Sequence, residues 1–130
     1  MINEVMKRTM GIHHLVLTVP DLQETELFYT KIFGEPNFLN ETTAIYAIGS
    51  TMLIFMQGDV KHLPGKKPDR KNIGLEHFAI GIKNLEDLKE IDKVLNEHRI
   101  EHSGIHIDSA SKKEKIWLDD PSNFRVEFYL

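Results

Sequence analysis

Apolar positions along the chain change period twice, and in the same way each time. From His14 to Val19, the bulky Leu15, Leu17 and Val19 alternate with His14, Val16 and Thr18; from His77 to Ile82, Phe78, Ile80 and Ile82 alternate with His77, Ala79 and Gly81. Alternation of this kind predicts a strand with one bulky face and one face carrying a histidine and smaller groups. Such asymmetry suits a sheet covered by a helix on one side and lining a cavity on the other. Helical spacing follows each strand, with Leu27, Phe28 and Ile32 in one case and Leu88, Ile91 and Leu95 in the other. Asp21 with Glu24, and Asn84 with Asp87, stand where an N-cap and an acidic first turn are expected. Gly34 followed by Pro36 ends the first helix.

The two passages are copies of one another. GIHHLVLTVPDL (Gly11 to Leu22) lies over GLEHFAIGIKNL (Gly74 to Leu85) at an offset of 63 residues, matching Gly11 with Gly74, His14 with His77 and Leu22 with Leu85. A duplicated unit is the inference. Shorter strand-like runs follow each helix: Ala44 to Ile48 and Thr51 to Gln57 in the first half, joined by Gly49-Ser50, then His102 to Ile107, Lys115 to Leu118 and Phe124 to Leu130 in the second. The expected fold class is α+β, with two tandem βαβββ modules in a single domain over residues 1–130. Module 1 covers about 11–57 and module 2 about 73–130; the linker, about 58–72, holds Gly, Pro and Lys/Arg without periodicity. Asp108 to Glu114 reads as a polar hairpin loop.

Composition narrows the chemistry. With 41% hydrophobic and 28% charged residues the chain is an ordinary globular one. Its net charge of -4, from 16 Lys+Arg against 20 Asp+Glu, weighs against a nucleic-acid partner. No apolar run approaches the roughly 18 residues of a membrane helix, so a soluble cytoplasmic protein is expected. There is no cysteine, hence no disulfide, thiolate metal site or Cys nucleophile. Ser103, Ser109 and Ser111 lack a nucleophile-elbow context. What is left is His, carboxylate, hydroxyl or a cofactor.

His14 and His77 occupy the same place in the two copies and point to the less bulky face. Near the C-terminus, Asp120-Pro121-Ser122-Asn123 forms a turn before a strand in which Phe124, Val126 and Phe128 share one face, and Asn123, Arg125, Glu127 and Tyr129 the other. Glu127 then lies either at a solvated edge or in a polar cavity. If its face is the histidine face, it meets His14 and His77. Two neutral imidazoles and a carboxylate suit Fe, Mn, Zn, Ni or Co as a divalent ion, with positions left for substrate or water. Either histidine alone reads as a strand residue satisfied by its neighbours; the symmetric pair with Glu127 favours a metal.

At this point the chain resembles the vicinal oxygen chelate superfamily, which includes glyoxalase I, extradiol dioxygenases, fosfomycin-resistance proteins, methylmalonyl-CoA epimerase and bleomycin-resistance proteins. The resemblance runs from about Gly11 to Leu130, on HLVLTVPDL from His14 with FYTKIFG from Phe28, on HFAIGI from His77, and on DPSNFRVEF from Asp120. It implies paired modules curved into a cup-shaped mixed sheet, with His14, His77 and Glu127 as metal ligands on its floor. It also implies a small-molecule substrate that chelates the metal through oxygen, and a homodimer, in some members with modules exchanged between chains. The glyoxalase-like pattern has a second glutamate in the last strand of the first module, where this chain has only Met52, Leu53, Ile54, Phe55 and Met56. A three-ligand site is nearer the extradiol dioxygenase and fosfomycin-resistance branches. The dioxygenase pattern has Tyr before the Asp-Pro turn and Gly within it; here stand Trp117 and Asn123. A metal-dependent dioxygenase, lyase or transferase is the expectation. The alternatives are a lactoylglutathione lyase-like isomerase and a bleomycin-resistance-type binding protein without turnover.

Five further residues are candidates. Tyr129, two residues beyond Glu127, is read as a proton donor or a rim residue, and His106 as an acid or base behind the metal or as plain packing. Tyr46 and Trp117 are read as lining the cup and stacking on an organic ligand, or as core. Arg125 either binds an anionic substrate or pairs with Glu127 or Asp119. His13 turns to the helix side or the rim.

Overall fold

Local signals start both helices, and stop the first, where the sequence places them. The Asp21 carboxylate accepts the backbone N–H of Glu24, and the Asn84 side chain accepts that of Asp87, so α1 (Leu22–Phe33) and α2 (Leu85–Glu97) open on equivalent caps. Gly34 ends α1 at a φ of 83°, a conformation that favours glycine. The structure is a computed structural model that describes residues 4–59 and 69–130. A short 3-10 turn (Met6–Arg8) leads into β1 (His14–Val19), α1, β2 (Phe38–Leu39), β3 (Thr43–Ile48) and β4 (Thr51–Gln57). The order then repeats as β5 (Phe78–Gly81), α2, β6 (His106–Ile107), β7 (Glu114–Asp119) and β8 (Arg125–Tyr129). The chain is thus βαβββ twice, an α+β fold. Part of the expected linker, residues 60–68, lies outside the described residues.

Each unit makes its own four-stranded mixed sheet, ordered β1-β4-β3-β2 and β5-β8-β7-β6. The first strand of each unit runs parallel to the last, and the other neighbours are antiparallel. Two expectations are corrected here. β2 was assigned no residues from the sequence, and the expected strand from His102 to Ile107 shortens to His106–Ile107. Two-residue strands are too short to show alternation, and tertiary pairing alone makes them strands.

Register places the two sheets residue on residue. Val16 pairs with Ile54 and Leu17 with Phe55 in the first; Ala79 pairs with Glu127 and Ile80 with Phe128 in the second. Because the repeat maps Val16 onto Ala79 and Leu17 onto Ile80, Ile54 occupies the place of Glu127, and Phe55 that of Phe128. The first unit therefore has an aliphatic side chain where the second has its carboxylate.

The core lies between helices and sheets. Tyr29 of α1 is fully buried, its ring 4.4 Å from Phe55 and 5.8 Å from Phe33. Tyr46 also belongs here: it is 1% exposed, and its hydroxyl meets Thr30 Oγ1 and donates to the Glu26 carbonyl. This corrects its expected place in the cup lining. β3 is apolar on both faces, so alternation could not tell which side Tyr46 takes. In the second unit Leu88, Leu95, Ile116, Leu118, Val126 and Phe128 fill the equivalent space.

One buried hydrogen bond ties the units together, and α1 packs against α2. The Tyr29 hydroxyl donates to Asp120 Oδ2 at 2.6 Å, while Asp120 Oδ1 accepts from the backbone N–H groups of Ser122 and Phe124. Burial raises the Asp120 carboxyl above its ordinary value, and burial together with the Asp120 charge raises the Tyr29 phenol. In the same turn Asn123 takes a φ of 68°, a left-handed conformation that Asn tolerates better than most residues, so Gly is not needed there. No helix among the described residues is long and apolar enough to cross a membrane.

Candidate functional site

Glu127 is the middle residue of β8, flanked by Ala79 of β5 and Trp117 of β7. It lies on the sheet face away from the helix and is nevertheless only 6% exposed, because its neighbours crowd around it. A carboxylate so placed needs partners. Lys115, two residues before Trp117 on β7, donates to Glu127 Oε1 at 3.2 Å and lies 3.2 Å from Asp108 Oδ1. Burial works against the Lys115 charge, but hydrogen bonds to Glu127 and Asp108 outweigh it and raise the ammonium above its ordinary value. Asp108 is held well below the carboxylate range, first by the Ser111 backbone N–H and then by Lys115.

His77 ends the segment leading into β5 and faces the other carboxylate oxygen, with Nε2 3.7 Å from Glu127 Oε2. Its Nδ1 lies 2.9 Å from Glu76 Oε1, which also accepts from Arg70 at 3.1 Å. These bonds from His77 and Arg70 hold the Glu76 carboxyl below its ordinary value. The structure thus brings His77 and Glu127 together. His14 is not drawn to them: it is exposed at the start of β1, with Nδ1 2.9 Å from Nδ1 of His13 and the two rings edge to face. Among the described residues no group of three His, Asp or Glu comes together in a way that would hold a metal.

Arg125, Trp117, Tyr129 and His106 fall on the same face. Arg125 makes two hydrogen bonds to Asp119, at 2.7 and 3.0 Å, and its guanidinium lies 3.7 Å over the Trp117 ring. Of the alternatives left open by the sequence, pairing with Asp119 is the one found; it lowers the Asp119 carboxyl and raises Arg125. The Tyr129 hydroxyl bonds Ser111 and donates to Asp108 at 3.2 Å. His106 pairs across from Lys115, its Nδ1 3.3 Å from the Gly104 carbonyl. Sequence reading missed Lys115, Asp108, Glu76 and Arg70. Lys115 had a signal, since alternation along β7 puts it on the Trp117 face; the rest owe their places to loops.

A cavity of about 630 Å3 adjoins this group. β5 ends its sheet, so among the described residues one of its edges has no strand beside it, and His77 to Gly81 all line the cavity. Leu15, Leu53 and Leu75 supply much of the remaining wall. The space is an apolar slot with an imidazole in its lining.

Two βαβββ units, each with a histidine at or just before the start of its first strand, with a carboxylate from the last strand of the second unit, define a class. The chain belongs to the Glyoxalase/Bleomycin resistance protein/Dioxygenase superfamily, whose model matches residues 11–128. Solved structures share the fold. One from Bacillus halodurans is 22% identical, with 95% of this chain and 97% of that chain covered and a TM-score of 0.80. A glyoxalase family protein from Enterococcus faecalis is 24% identical, with coverage of 93% and 98% and a TM-score of 0.74. Lactoylglutathione lyase from Agrobacterium tumefaciens is 20% identical, with coverage of 93% of each chain and a TM-score of 0.70. At these identities the likeness is one of fold.

Proposed function

We propose that the protein is a divalent-metal-dependent enzyme of this superfamily, acting on a small organic substrate that chelates the metal through oxygen atoms. One observation carries the reading: an imidazole nitrogen of His77 and a buried carboxylate oxygen of Glu127 face each other 3.7 Å apart. Their donor types fit Fe, Mn, Zn, Ni or Co. The third donor, His14, stands at the repeat-equivalent position but outside the pair, and we propose that a second copy of the chain brings it in. Two features support such a homodimer. Among the described residues, β1 and β5 each end a sheet with one edge unpaired. Ile12 is 70% and Val16 43% exposed beside His14.

When bound, the metal would act as a Lewis acid or, if iron, as an oxygen-activating centre. His14, His77 and Glu127 would hold it. Trp117, with the Arg125 guanidinium stacked on its ring, offers a flat wall to the substrate, and the cavity beside His77 takes an apolar part. Glu127, Tyr129 and His106 are the candidates for moving protons. Ile54 in the place of a second carboxylate favours three-ligand chemistry of the dioxygenase or fosfomycin-resistance type over the two-glutamate lyase type. A ligand-binding protein without turnover is the second reading, favoured by the Lys115 ammonium that already neutralises Glu127.

Elemental analysis of protein purified without chelators tests the choice, alongside its mass in solution. The expected result is a dimer carrying a transition metal, with affinity falling at least ~100-fold in His77→Ala, Glu127→Gln and His14→Ala. Metal content indifferent to all three substitutions, or tight binding of an aromatic ligand that survives EDTA, would overturn the enzyme reading.

A further inference from the structure

The pair that supports a metal centre consists of two groups that do not bond to each other. At 3.7 Å, His77 Nε2 and Glu127 Oε2 are beyond hydrogen-bond distance. The other ring nitrogen has a real partner, Glu76 Oε1 at 2.9 Å. A carboxylate oxygen only accepts, so in the neutral ring the Nδ1 proton lies on that bond and Nε2 keeps its lone pair. Glu127 Oε2 is likewise an acceptor. Two acceptors aimed at one gap repel each other unless something electron-poor lies between them.

Glu76 is in turn held from outside. Arg70 donates to the same Oε1 at 3.1 Å, so the carboxylate lies between a guanidinium and the imidazole edge. Arg70 belongs to the segment that returns the chain from the first unit to the second. A side chain from the end of the linker thereby helps to orient the histidine that opens β5.

We propose that Glu76 is a positioning residue that holds His77 with its proton on Nδ1 and its lone pair on Nε2 toward Glu127, with Arg70 steadying Glu76 from the linker side. The inference rests on the metal reading above only for its purpose; the tautomer itself is a property of the metal-free chain. Carboxylates placed behind ligating histidines fix ring orientation and raise ligand basicity, and their loss costs about 10- to 100-fold in metal affinity.

The test uses the full chain with 15N-labelled histidine. In the metal-free protein, at a pH where His77 is neutral, ring-nitrogen shifts assigned through His77→Gln should show Nδ1 protonated and Nε2 bare. Glu76→Ala should lose that signature, whereas Glu76→Gln, whose amide oxygen still accepts from Nδ1, should keep it. Mn(II) affinity, read from the resonance of the free aquo ion, should fall about 10- to 100-fold in Glu76→Ala, recover most of the loss in Glu76→Gln, and fall less in Arg70→Ala. An Nε2-protonated ring in the wild type, or a tautomer unchanged in Glu76→Ala, would overturn the proposal. The predicted tautomer in a protein that binds no Mn(II) would uphold the positioning and sink the metal reading instead.

Discussion

The two units share a topology, a pair of caps and a register, yet their faces away from the helices have opposite character. On the first sheet that face carries Val16, Ile45, Met52, Ile54 and Met56. On the second it carries Ala79, Lys115, Trp117, Arg125, Glu127 and Tyr129, with Lys115 and Arg125 each bonded to carboxylates. The helix-side faces differ less: Phe55 and Phe128 are both buried at equivalent positions. Duplication has kept what the fold requires, an apolar layer under each helix, and has let the opposite face diverge. The second unit concentrates the polar chemistry, and the first retains an apolar wall with the exposed His14 at its end.

The largest test of that comparison is the pair Phe55→Ala and Phe128→Ala. Each should cost about 3–5 kcal/mol in denaturant unfolding, since a large buried ring is lost. Phe55 should cost more by about 0.5–1.5 kcal/mol, because it stacks on Tyr29, whereas among the described residues Phe128 stacks on no other ring. Equal costs would mean that the aromatic cluster adds nothing beyond its buried area.

Tyr29→Phe probes the bond between the units. Removing the hydroxyl leaves the Asp120 carboxylate buried with one partner fewer, at a cost of about 1–3 kcal/mol near neutral pH. The sign of the pH dependence follows from the raised Asp120 carboxyl. A carboxyl raised on folding favours the native state when protonated, and that benefit is lost as pH rises through its folded value. The Tyr29 bond lowers Asp120, so its removal raises the carboxyl further. The gap in Tm between wild type and Tyr29→Phe should therefore be widest at pH 7 and narrow on acidification toward the ordinary carboxyl value of 3.8. A gap independent of pH would show that Asp120 does not sense Tyr29.

The smallest expected effect is also the most symmetrical. Asp21→Ala and Asn84→Ala each remove one cap bond to the backbone three residues on, and each should cost about 1 kcal/mol. A large inequality between the two would break the view that the units fold by the same local rules.

Much of this was legible because it is local. Asp21 and Asn84 announce their helices through bonds spanning three residues, and Gly34 stops α1 at its own φ. The His14 and His77 strands, and the strand of Glu127, show themselves by alternation. β3 gave no such signal, which is why the sequence leaves Tyr46 open between cup and core, and the structure places it in the core. Lys115 was passed over because a lysine in a strand next to a polar loop reads as solvated until its partners are seen.

By itself the sequence determined the duplicated βαβββ order, the caps, the faces of the clearly alternating strands and the residue types available for chemistry. These follow from short-range geometry and from which side chains exist. Only the tertiary structure decided that Glu127 meets His77 and Lys115, that Arg125 closes on Asp119 over Trp117, that Tyr29 crosses to Asp120, and that His14 stands apart. The physical reason is that periodicity fixes the direction in which a side chain leaves its strand, while what it meets depends on residues brought close by sheet register and by the packing of one unit on the other.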